Sequence, residues 1–234
     1  MGVDNYYRIS ALPALGDLGS APPLSLAALR EHVSNRPAPR ALVDTLLVFD
    51  DLRQREAFLA GELKDITPTV LTPAQTRNEE PLPEFLSAGE GAPRRVAADA
   101  VWAAYFQHAA RVAKRRGSDF LARWTSHEVA MRNALATARA QALGLDPAGY
   151  VVAPELVQYD EDFSALIGQW SEAPDPLAGI RVLDLARWAW LRDHDAWFSF
   201  GDEELAAYAA KLMLIVRWYR LSSESHAGTF SRPS

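Results

Sequence analysis

The chain of 234 residues contains no cysteine. Disulfide staples, thiolate nucleophiles and cysteine-ligated metals are excluded by that alone. No apolar run reaches the roughly 18 residues that span a bilayer, and Leu212 to Val216 is the size of a core segment. The first residues, MGVDNYYRIS, are polar and lack the apolar stretch of a secretory leader. The expectation is a cytoplasmic protein without direct membrane insertion. The phosphate loop GxxxxGK[ST], the dinucleotide motif GxGxxG and the nucleophile elbow GxSxG are all missing. His127-Glu128 opens an HExxH metal motif, but Met131 stands where the second histidine belongs. The other histidines, His32, His108, His194 and His226, show no metal-ligand spacing. The resulting expectation is a non-enzymatic protein with no cofactor and no metal.

Charge is sparse in one sign. A net charge of −6 argues against nonspecific binding of nucleic acid. The only dense basic run is Arg111 with Lys114-Arg115-Arg116. It reads as a solvated helix end, its positive charge suiting the C-terminal dipole.

What is present is helical periodicity. Hydrophobic residues make up 49% of the chain and charged residues 23%, as in an ordinary globular protein. The spacing predicts a long helix from Ser118 to Gly144, capped by Ser118-Asp119 and stopped by glycine. Phe120, Trp124, Met131, Leu135, Ala138 and Ala142 share one face of it. Before it, Val96–Arg116 is alanine-rich and ends at Gly117, so the two helices should form an antiparallel hairpin. Elsewhere, Tyr6–Leu12 reads as an extended segment or short strand. Ser25 caps a short helix through about Val33. Pro37 and Pro39 break the chain ahead of a helix from Ala41 to Ala60. Further helices are expected over Pro154–Trp170, Leu177–Asp193 and Glu203–Ser222, with a flexible tail from residue 224. The fold class is therefore mainly α, a multi-helix bundle of stacked hairpins with a short extended N-terminal segment. The proline-rich stretch 61–93 reads as a linker between a small N-terminal portion, 1–60, and a main helical domain, 94–223.

Candidate functional residues lie mostly on the long helix. Glu128 falls on its apolar stripe, where a carboxylate needs a partner. Arg132 follows at the favourable i to i+4 spacing, then Asn133 and Arg139. The set reads either as an internal salt bridge or as arginines facing a partner. Seven tryptophans are many for this length. Trp188, Trp190, Trp197 and Trp218 crowd the last third, where they either fill a core or form an aromatic interface patch. Trp188 and Trp190, two apart on a helix, point in different directions. His194 stands between Asp193 and Asp195; together with Glu203 these outline a conceivable acid–base pocket.

Three stretches carry a resemblance: YYRISALPAL at the start, W-x3-E-x3-RNALATARAQALG in the middle and FGDEELAAYAAKLMLIVRWYRL near the end. In this order they resemble a bacterial family found in operons for V-type ATPases, domain-of-unknown-function family 2764. Such operons lack an obvious gene for the central-stalk subunit called C or d, an all-helical funnel that sits on the proteolipid ring and receives the rotor shaft. Glu128 with Asn133 and Arg139, and Gly201, Glu203 and Tyr208, are similar to patterns of that subunit, though Asn133 lies five residues from Glu128. Leu212 or Met213 also stands where the pattern has an acid, and the chain is shorter than that subunit. The resemblance implies a non-enzymatic, stalk-like element whose partners are central-stalk subunits and the proteolipid ring. An adaptor or assembly factor for the same complex is the alternative, and an enzyme using His194, Asp195 and Glu203 a third reading.

Overall fold

The computed structural model describes residues 9–87, 96–195, 199 and 201–229. Over these residues the protein is mainly α-helical and has no strand. The helices are α1 (Leu26–His32), α2 (Pro37–Leu59), α3 (Pro73–Thr76), α4 (Ala97–Arg116), α5 (Asp119–Ala142), α6 (Ser164–Ser171), α7 (Pro176–Asp193) and α8 (Asp202–Thr229). Single 3-10 turns sit at Glu84–Leu86, Pro147–Gly149 and Pro154–Leu156.

The chain forms two compact units. One is Met1–Leu47 with Asp184–Ser234 and the other is Val48–Leu183, so the divisions fall inside α2 and inside α7 rather than at the proline-rich stretch.

In the first unit, α1 begins where the sequence predicts: the Ser25 hydroxyl accepts the Ala28 N–H at 3.1 Å. Its apolar residues Leu26 and Leu29 are buried, and α1 packs on α8. Helix α8 is buried almost all round from Leu205 to Val216, because Ala206, Ala207, Ala209 and Ala210 let neighbours approach closely. Asp184, almost wholly buried, meets Arg217 of α8 at 3.0 Å and Arg187 at 3.2 Å. A carboxylate so deep needs such cations. Arg30 reaches from α1 to Asp44 of α2 at 2.7 Å.

The second unit is built on the α4–α5 hairpin. Gly117 takes a left-handed φ of 63°, which terminates α4, and the next residue caps α5, its hydroxyl accepting the Leu121 N–H at 3.1 Å. Trp102, Tyr105, Phe106 and Ala109 of α4 are buried. Phe49 packs against Trp102, Tyr105 and Trp124 with ring centroids 5.3, 5.9 and 6.3 Å away.

Residues 61–87 are held by side chains of one helix. Asp51 of α2 accepts the N–H groups of Thr69, Val70 and Leu71 at 2.7, 2.7 and 2.8 Å. Gln54 accepts the Thr67 N–H at 2.8 Å and donates to Asp50 at 2.8 Å. Arg55 donates to Gln75 O at 2.9 Å and to Asn78 Oδ1 at 2.7 Å. Loop backbone that cannot pair with itself is thereby satisfied. Residues 88–93 of the expected linker lie outside the described residues.

Several expectations are corrected. Pro37 and Pro39 do not precede α2; they form its first turn, where an N–H has no intrahelical acceptor to lose. The extended N-terminal segment is not found: Ile9 and Ser10 are helical, and Tyr6 to Arg8 lie outside the described residues. Pro154–Trp170 is not one helix but a 3-10 turn, a non-helical stretch and α6. The Ser126 hydroxyl takes the Gln158 N–H at 2.8 Å, which holds this stretch outside helical register. Helix α8 continues through Thr229, past the expected start of the flexible tail and through Gly228.

Candidate functional site

The polar residues of α5 are drawn into the second unit. Helix α5 is buried on every side from Trp124 to Val129, so the single stripe seen in the sequence widens at its centre, while Ala142 at its end is exposed. Glu128 is buried beside Tyr105; burial pushes that phenol's pKa up, and the Glu128 charge adds to the shift. Arg132 does what its spacing did not reveal. Its guanidinium lies 4.8 Å over the Trp102 ring, 3.0 Å from Asp99 and 3.9 Å from Glu56. The Trp102 indole N–H in turn donates to Glu56 at 3.2 Å. Arg132, Trp102 and Glu56, from α5, α4 and α2, thus close a ring of contacts, and Asp99 joins it through Arg132.

Asn133 grips the chain after α5. Its amide donates to Val152 O at 2.9 Å and accepts the Val152 N–H at 2.7 Å. Arg139 is exposed and lies 4.8 Å over Trp170. Buried His127 sits with Nδ1 2.6 Å from Glu161, fastening the acidic stretch to α5. Three of the four sequence candidates on α5, namely Arg132, Asn133 and Arg139, therefore make named contacts within their own unit.

The other candidates meet elsewhere. In the first unit a groove of about 460 Å³ is lined by Ile9–Asp17 on one side and by α7 and α8 on the other. Trp188 and Tyr208 are both half-buried walls of it, and Leu205 is its buried floor. The Tyr208 hydroxyl donates to Pro13 O at 2.8 Å, which ties the N-terminal segment to α8. Burial pushes the Tyr208 pKa up to about 12, so the phenol keeps the proton it donates. Lys211 pairs with Asp195, and exposed Arg192 stands at the rim. The size is that of a typical recognition cleft.

No family model, no curated protein and no solved structure matches this chain.

Trp190 is also half-buried but does not line the groove; its ring stacks on His194 at 4.0 Å, and His194 Nδ1 donates to Trp190 O at 2.9 Å. Of the conceivable pocket His194, Asp195 and Glu203, only Asp195 lines the groove, and it is engaged by Lys211. Trp218 is half-buried, and Trp197 lies outside the described residues.

Sequence reasoning passed over Asp51, Glu56, Asp99 and Asp184. Each is an acid on an otherwise ordinary helix, with its partner tens of residues away. A signal existed for two of them: Asp51 follows Asp50 in an apolar run, and Asp184 sits between Leu183 and Leu185.

Proposed function

We propose that the protein is a non-enzymatic subunit associated with a V-type ATPase, a central-stalk element of the C/d kind that couples rotor shaft to proteolipid ring. The supporting observation is the meeting of the two terminal stretches that carry the family resemblance. YYRISALPAL and FGDEELAAYAAKLMLIVRWYRL stand almost 200 residues apart, yet Pro13 and Tyr208 are hydrogen bonded and both stretches line one groove. Residues shared with a family for docking would be expected to converge on a surface in this way. The groove offers aromatic walls, an apolar floor and a charged rim, the composition of a protein-binding hot spot. The middle stretch has a different task in this reading: it stiffens the second unit through Arg132 and Asn133.

The test is recovery of the tagged protein, at native level, from detergent-solubilised membranes with quantitative mass spectrometry. ATPase subunits in fixed ratio are expected. Arg192→Glu should lower that recovery severalfold while leaving the melting temperature nearly unchanged, because Arg192 is an exposed residue at the groove rim. Substoichiometric, transient recovery would instead indicate an assembly factor. A protein found only in the soluble fraction, without ATPase subunits, overturns the proposal.

A further inference from the structure

Residues 9–17 wall the groove without entering the core. Ile9, Leu12 and Leu15, spaced by three, are half-buried and line it, and the rest of the segment is exposed. Complete burial begins only at Leu26 and Leu29 of α1. Between lies a tight turn: the Asp17 carbonyl accepts the Ser20 N–H at 3.0 Å and the Ser20 hydroxyl at 2.7 Å, and Gly19 within it takes a φ of 102°. Pro22 and Pro23 then stiffen the approach to α1.

Among the described residues, a single hydrogen bond joins residues 9–17 to the rest of their unit, the one from the Tyr208 hydroxyl to Pro13 O, and it is exposed to solvent. A segment with no buried side chain and one such tie opens far more readily than the fold around it. The space it borders is unfilled, about 460 Å³ between the segment and α7 and α8. The apolar side of α7 also runs on past the groove, since Leu185, one turn before Trp188, is 53% exposed.

We infer that residues 9–17 form a strap that gates the groove, turning about residues 17–20 and latched by Tyr208. The inference rests on the reading of this groove as a docking surface. Open, the strap gives a partner's apolar segment access to Leu205 and Trp188, and such a segment reaches Leu185 as well. Closing over that occupant buries Ile9, Leu12 and Leu15 further, so a filled groove favours the closed strap more than an empty one does. The Tyr208 phenol stays protonated through the neutral range, so the latch answers to occupancy and not to pH.

The chain has no cysteine, so an introduced thiol is unique. Leu205→Cys places one on the groove floor, and its rate of alkylation by iodoacetamide in the isolated full-length chain reads the open fraction. Adding Tyr208→Phe, which keeps the ring and removes the latch, should speed alkylation about fivefold, the effect of losing one neutral hydrogen bond. Leu12→Ser with Leu15→Ser, which leaves α7 and α8 untouched, should speed it further. Leu29→Cys, buried on α1 of the same unit, should react at a rate that neither change alters. Where Leu205→Cys does not fold, a spin label on exposed Ala14→Cys should gain mobility with Tyr208→Phe. An unchanged rate or, with the label, an unchanged mobility overturns the strap. So does equal acceleration at residues 205 and 29, which means that the whole unit loosens. These readouts need no partner, so a strap that opens as expected, beside membranes that yield no ATPase subunits, refutes the docking reading and not the strap.

Discussion

Asn133 and Val152 make a two-way clasp: one side-chain amide both donates to and accepts from one backbone residue, across 19 positions of chain. Val152 is fully buried, so water does not replace the amide if it is removed. Asn133→Ala leaves a buried N–H and a buried C=O without their partner, and is expected to cost about 3 kcal/mol. Asn133→Asp keeps an acceptor for the Val152 N–H but sets a carboxylate against the carbonyl, and should also destabilise. Urea unfolding of the two variants measures both.

Asp51 predicts an unusual pH dependence. Burial raises its pKa, the three loop amides pull it back, Asp50 adds an upward push, and the outcome is about 6, against an ordinary 3.8. The folded state therefore holds this proton where the unfolded chain has lost it. The associated stability is fully present below about pH 4 and is lost as pH rises to 6 and beyond. Asp51→Asn should abolish this component. The stability of wild type relative to Asp51→Asn is expected to fall by about 2 kcal/mol between pH 4 and pH 7, by urea titration at each pH.

His108 predicts the opposite slope. Its folded pKa of about 4 lies below the ordinary 6.5, so its contribution is present above pH 6.5 and is lost as pH falls towards 4. Arg115→Gln removes one of the two neighbouring charges, and the imidazole pKa measured by NMR should rise. An unchanged value would mean that burial alone sets it.

Arg132 ties three helices through one guanidinium. Arg132→Ala leaves Asp99, which is largely buried, without the cation 3.0 Å away, and uncovers the Trp102 face. A loss of about 2 kcal/mol is expected, less than for a fully buried pair because Arg132 is itself partly solvated. Arg132→Lys keeps the charge but not the planar stack, and should lose roughly half as much. A double-mutant cycle with Asp99→Asn separates the ion pair from the stacking.

Local signals carry helices well. Ser25, Ser118 and Gly117 mark boundaries that the structure reproduces, because a cap or a left-handed residue acts through atoms three or four positions away. The α4–α5 hairpin follows from their two-residue connection, Gly117 and Ser118. The aromatic candidates Trp188 and Tyr208 were legible as amphipathic residues needing a surface and a core. That they share a groove was not, since Ile9–Asp17 joins them only after the chain has returned from its other end.

The sequence by itself determined a mainly helical chain without cysteine, several of its helix limits, and a long central helix bearing polar residues in its middle. Periodicity and capping are local physics, and 234 residues supply enough apolar side chains to bury them. Tertiary structure alone decided which acids Arg132 and Arg217 meet, how Asp51 fastens residues 69–71, and that the proline-rich stretch through residue 87 is held in place. It also decided where the units divide, inside two continuous helices. Those choices depend on long-range burial, where an unpaired charge or backbone group is costly and the partner that relieves it can stand anywhere in the chain.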